Sequence, residues 1–200
     1  MASKDKDNLY DAFLTDVEPG NTTHQHYGLT VDYGSTTIVM QLVDLRSGVV
    51  IDEVKAVNGQ FVYGTDILSR ITYSLEDPSH VDRLQTATIN TFEGLLFQLT
   101  ENNGIPAKDL PIMIVSGNTT MIHFLLKLNA WSVFASPYAP VVTDPGFIWG
   151  REVGMDFSGL IYMIPAASNY IGGDIVSGLL QLDIHKKESA SLFFDIGTNG

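Results

Sequence analysis

Cysteine is absent from this sequence of 200 residues. That excludes a disulfide framework, a thiolate metal site and a Cys-ligated iron–sulfur cluster within it. Basic residues are scarce, with 11 Lys and Arg against 23 Asp and Glu and a formal charge of −12. Nucleic acid and anionic membranes are poor partners for such a chain, because phosphate contacts need clustered Lys and Arg. An acidic surface suits a basic partner protein, although acidity alone is weak evidence. No apolar run reaches the roughly 18 residues of a membrane span. The start, MASKDKDNLYDAF, has no apolar signal-peptide core, so the expected compartment is the cytoplasm. Hydrophobic residues make up 44% of the chain, enough for a sizeable core.

What is present is a loop pattern that occurs twice. Gly28 to Gln41 reads GLTVDYGSTTIVMQ, and Ser191 to Gly200 reads SLFFDIGTNG. Each is an apolar strand followed by Asp, one residue, Gly, Ser or Thr, and a small polar neighbour. Asp32 and Asp195 stand roughly one domain length apart. In the first copy a strand delivers Asp32 to its end, and Gly34 lets the backbone turn without a Cβ in the way. Successive N–H groups and the hydroxyls of Ser35, Thr36 and Thr37 can then line a phosphate oxygen. Asp32 can hold Mg²⁺ through water, since Mg²⁺ takes few carboxylates and keeps its waters. In the second copy Asp195 takes the metal side, and Gly197, Thr198, Asn199 and Gly200 take the phosphate. Read alone, the first loop is equally a β-hairpin with a polar turn, and the second a frayed terminal strand. The sequence contains neither a Walker loop nor a dinucleotide fingerprint.

Two further turns belong to the candidate site. Gly172-Gly173-Asp174 opens a helix that leads into the second loop. Asp174 is a helix cap on the plain reading and a group polarising an attacking water on the functional one. Gly117-Asn118 sits where a buried strand enters a helix, the kind of turn that gathers ligands at the carboxyl edge of a sheet. The histidines at 24, 26, 80, 123 and 185 form no usable cluster, and His123 reads as a satisfied core or boundary residue.

Residues 1–27 read as a linker or tail, with a turn at Pro19-Gly20. Leu29–Val31, Thr37–Asp44 and Val49–Ala56 are β-rich, with a hairpin turn at Arg46-Ser47-Gly48. Val81 to Leu99 carries the clearest helical period, stopped by Asn102-Asn103-Gly104. Pro111–Val115 and Leu160–Ile164 read as buried strands. Helices are expected over Thr119–Leu128 and from Asp174 to about Leu182. Ala130–Gly150 reads as a packed excursion, and Leu192–Phe194 as a strand repeating the first. The expected fold is α/β, a mixed five-stranded sheet with helices on both faces.

The two D-x-G-[ST] loops and the Gly-containing helix before the second resemble the superfamily of acetate and sugar kinases, heat-shock chaperones and actin. The resemblance implies a ribonuclease H-like lobe of the actin-like ATPase fold. Asp32–Thr37 and Asp195–Gly200 would be its two phosphate loops, and about Ala166–Leu180 its connecting helix. VDYGSTTIVMQLVDLRSGVVIDEVKAVNGQFVYGTDILSRI, VSGNTTMIHFLL, IPAASNYIGGDIVSGLL and FFDIGTNG more closely resemble the ATPase domain of reductive activators of corrinoid proteins. That resemblance implies ATP and Mg²⁺ as ligands, with Asp32 and Asp195 ordering the metal and Asp174 the attacking water. It implies uphill reduction of Co(II) corrinoid to Co(I), and a corrinoid protein of a methyltransferase or O-demethylase system as partner. It also implies a two-iron two-sulfur cluster in an N-terminal domain outside this sequence. Gly59 departs from the family, standing where Pro is expected in an NPQ-type segment. On this view residues 28–190 form the first lobe, and residues 191–200 begin a second. The 200 residues alone would then be inactive. Leu192, Phe193 and Phe194 would pack onto the lobe, pair with another copy or stay disordered. A phosphotransferase or dehydratase-activator lobe of the same superfamily, a non-catalytic actin-like binding module, and a homodimer remain open alternatives.

Overall fold

Three antiparallel strands open the fold: Tyr27–Tyr33 (β1), Thr37–Asp44 (β2) and Val49–Val57 (β3). The structure is a computed structural model and describes residue 17 and residues 20–195. Ile112–Gly117 (β4) lies parallel to β1, and Leu160–Met163 (β6) parallel to β4. Gly146–Trp149 (β5) closes the far edge antiparallel to β6, giving the order β3-β2-β1-β4-β6-β5. The sheet thus has six strands and not the five expected. The extra strand is four residues long and follows Asp144-Pro145, opening on Gly146 at φ 67°. So short an edge strand inside a Pro- and Gly-rich stretch carries no readable period.

Period-two alternation decides which face of the sheet is covered. β1 buries Leu29, Val31 and Tyr33, β2 buries Ile38, Met40 and Leu42, and β4 buries Met113 and Val115. Against this face lies Ser79–Asn103 (α2), whose Leu84, Thr88, Phe92, Leu95 and Leu99 recur at helical spacing and are buried. Each such apolar side chain contributes roughly 1.5–3 kcal/mol of burial. The Phe92 ring meets Tyr33 edge-on at 5.2 Å. Gly104, at φ 64°, stops the helix by donating its N–H to Thr100 O. α2 extends past the expected Val81–Leu99 at both ends. Ile67–Glu76 (α1) packs beside it, opened by a reciprocal Asp66–Ser69 capping box.

The other face carries Thr30, Asp32, Val39, Gln41, Ile114 and Ser116. One helix, Gly173–Gln181 (α5), covers part of it and joins the sheet through a Ser116–Ser177 hydroxyl pair at 2.9 Å. Helices therefore lie on both faces. Thr119–Leu125 (α3) follows β4 and ends before the expected Leu128, with Lys127 at φ 57°. Trp131–Phe134 (α4) and a cis Ser136–Pro137 bond fill the excursion before β5. The expected strand at Leu192–Phe194 does not form. Phe193 instead lies against α5 at Gly178, while Leu192 and Phe194 are exposed.

Candidate functional site

The carboxyl ends of β1 and β4 and the amino end of α5 meet at an open cleft of about 1300 Å³. β1 presents Asp32 there, because alternation puts its neighbours Val31 and Tyr33 into the core. The turn from Gly34 to Thr36 then reverses the chain into β2. A Cβ on Gly34 would collide with the Thr37 carbonyl oxygen, so this turn needs glycine for space. Gly34, Ser35, Thr36 and Thr37 all line the cleft.

β4 ends in register with β1, Gly117 opposite Tyr33. Asn118 caps α3, its Oδ1 accepting the Met121 N–H at 3.0 Å, and also lines the cleft. Gly117 is buried against Tyr33 and does not line it. α5 begins at the cleft wall. Asp174 Oδ1 accepts the Ile175 N–H at 2.8 Å, and Ser177 Oγ donates to Asp174 O at 2.9 Å. Asp195 enters from the segment after α5.

Eight candidate residues therefore share one cleft: Asp32, Gly34, Ser35, Thr36, Thr37, Asn118, Asp174 and Asp195. Gly197, Thr198, Asn199 and Gly200 lie outside the described residues. Ser116 and Ser177 line the cleft as well and escaped sequence reasoning. Ser177 follows Asp174 by three residues, so helical spacing alone could have flagged it.

The electrostatics of Asp32 and Asp174 reflect this convergence. Asp32 is exposed to the cleft, yet the protein around it partly desolvates its carboxyl and raises its pKa, and the nearby charges of Asp174 and Asp195 add to the rise. Burial raises Asp174 too, opposed by its bond from Ile175 N–H and reinforced by Asp195. Negative charge concentrated this way favours a cation. Among the described residues no three His, Cys, Asp or Glu side chains close into a ligand set. The arrangement fits a hydrated Mg²⁺ touched by one or two carboxylates, and does not fit a dehydrated metal cage.

His123 lies on the core side of this region. It is fully buried, with Nδ1 2.7 Å from Thr119 O and Nε2 3.0 Å from Val141 N. The Val141 N–H can only donate, so Nε2 is unprotonated and Nδ1 carries the proton. Burial depresses the His123 pKa below 6.5, against the pull of Thr119 O. The stability that neutral His123 confers is present above pH 6.5, its usual value, and is lost as pH falls through the folded value. Thermal unfolding followed from about pH 7.5 to about pH 5 should show this loss, and His123→Gln should flatten it.

The sequence profile of the RACo middle region matches residues 27–187. The chain belongs to the RACo middle region family. It is 29% identical to the corrinoid activation enzyme RamQ of Eubacterium limosum over 190 residues, covering 94% of this chain and 32% of that protein. It is 34% identical to the solved structure of a reductive activator for corrinoid, iron-sulfur protein, with a TM-score of 0.80. That match covers 84% of this chain and 27% of the other. This RACo middle region thus spans about a third or less of the length of these relatives. Its Gly59 donates its N–H to Thr91 Oγ1 at 3.2 Å, a bond that proline could not make.

Proposed function

We propose that this RACo middle region is the first ATP-handling lobe of a reductive activator, and that it helps return a Co(II) corrinoid to Co(I) in a methyltransferase or O-demethylase system. The observation that carries this reading is the convergence of the Gly34–Thr37 turn with Asp32, Asp174 and Asp195 in one cleft. The similarity to RamQ and to the reductive activator supports the corrinoid protein as partner.

In this reading residues 28–190 form the lobe and residues 191–200 belong to the start of a second, of which Asp195 lines the cleft. The turn amides and the hydroxyls of Ser35, Thr36 and Thr37 hold phosphate oxygens. Asp32 and Asp195 orient water around Mg²⁺, which supplies charge neutralisation on the phosphates when bound. Asp174, held at the start of α5, orients the attacking water, and ATP plus water gives ADP and phosphate. The reduction itself moves one electron to Co(II). That electron arrives from an iron–sulfur domain that this Cys-free sequence does not hold.

The test uses the longer protein that carries this region. Co(I) formation on the partner corrinoid protein, followed by absorbance with a chemical reductant, should require Mg·ATP. Calorimetry should show Mg·ATP binding. Corrinoid reduction at the same rate and extent without nucleotide would overturn the reading.

A further inference from the structure

The turn that faces the cleft is braced from outside the β1–β2 hairpin. Asn58, the first residue after β3, is fully buried and touches the turn twice. Its backbone N–H donates to Thr36 O at 2.9 Å, and its Nδ2 donates to Gly34 O at 2.9 Å. Its Oδ1 accepts the Gln60 N–H at 2.9 Å, which fixes the rotamer and identifies Nδ2 as the end facing Gly34. From these contacts we infer that Asn58 is the positioning residue of the Gly34–Thr37 turn, a role that rests on the nucleotide reading only for what the turn binds.

In a trans peptide the carbonyl and the following N–H point in opposite directions. Turning the Gly34 carbonyl onto Asn58 therefore turns the Ser35 N–H away from Asn58, to the side where Ser35 and Thr36 line the cleft. Without that bond the peptide between Gly34 and Ser35 is free to flip, and glycine offers little resistance. An anion would then meet a carbonyl oxygen in place of an amide.

The clamp is itself anchored. Gly59 N–H donates to Thr91 Oγ1 at 3.2 Å on α2. Gln60 Nε2 reaches Thr88 Oγ1 at 2.8 Å, Leu84 O at 3.0 Å and the Tyr33 hydroxyl at 3.1 Å. Residues 58–60 thereby set the turn against the longest helix of the fold, and none of the three lines the cleft.

Two variants separate positioning from general stability. Asn58→Ala removes the Gly34 bond, and Thr91→Val removes an anchor of the same segment without touching the turn. Both should lower the melting temperature of this chain. Amide hydrogen exchange over residues 34–37 should quicken about tenfold in Asn58→Ala, the scale of one lost hydrogen bond, and stay within about twofold in Thr91→Val. In the longer protein the dissociation constant for Mg·ATP should rise about tenfold for Asn58→Ala only. Should the alanine variant fail to fold, Asn58→Asp keeps the Gln60 acceptor, drops the Gly34 donor and reads the same comparison. Unchanged exchange over 34–37 in the Asn58 variant, or equal loosening by Thr91→Val, overturns the inference. A loosened turn in a protein whose wild type binds no Mg·ATP upholds the clamp and overturns the nucleotide reading.

Discussion

Asp32→Ala in the longer protein should abolish ATP-dependent corrinoid reduction, by about a hundredfold or more, without unfolding the lobe. Asp32, next to last in β1, faces the cleft, while the core side of the strand is carried by Leu29, Val31 and Tyr33. Removing its carboxylate costs no core volume. Its stability effect has a definite sign as well. Burial and the charges of Asp174 and Asp195 raise the Asp32 pKa in the fold. A carboxyl with a raised folded pKa supports the fold while protonated, and that support is lost as pH rises through the folded value. At neutral pH the ionised group, exposed to the cleft, therefore adds nothing to the stability of the lobe. Asp32→Ala should melt at or above the wild-type temperature near pH 7, with the advantage vanishing toward about pH 4. A variant that loses activity and also melts well below wild type would mark Asp32 as a structural residue.

The sequence disclosed most of the frame because most of it rests on local periods. The β1–β2–β3 meander follows from alternation with a Ser47-Gly48 turn, and α2 from apolar residues at three- and four-residue spacing. β5 stayed hidden because four residues cannot display a period, and its pairing with β6 is decided by tertiary contact. The site divides the same way. Asp32 and Asp174 were legible because each follows a glycine or precedes one at a chain reversal. Ser116 was not, since its partnership with Ser177 joins a strand to a helix 61 residues later. The role of Asn58, inside the NPQ-type segment, was unreadable for the same reason. Its importance lies in bonds to Gly34 and Thr36, which only the β2–β3 register brings alongside.

The amino end of α5 predicts the sharpest contrast between two glycine substitutions. Gly172 has φ −77° and ψ −178°, an extended conformation open to any residue, so its requirement is for space alone. A Cβ there would lie 2.5 Å from Asn118 Cα and 2.9 Å from Gly117 O, which are backbone atoms that cannot rotate away. It would also lie 2.7 Å from Asp174 Oδ1. Gly173 is confined too, with its Cβ position 2.5 Å from Ile164 O. Gly172→Ala must therefore push α5 off the end of β4 or tilt it, at a cost of about 1–3 kcal/mol. The displacement falls on Asp174, two residues on, and on its distance to Asp32. A misplacement near 1 Å at a reacting group costs roughly a hundredfold in rate. The control is Gly94→Ala on the exposed side of α2, where a new Cβ meets nothing within 4 Å. That change should stabilise the helix by up to about 1 kcal/mol and leave ATP response untouched. Thermal unfolding and ATP-dependent Co(I) formation on both variants separate the two cases. A Gly172→Ala protein with wild-type melting and wild-type ATP response would mean that α5 does not fix Asp174 in the cleft.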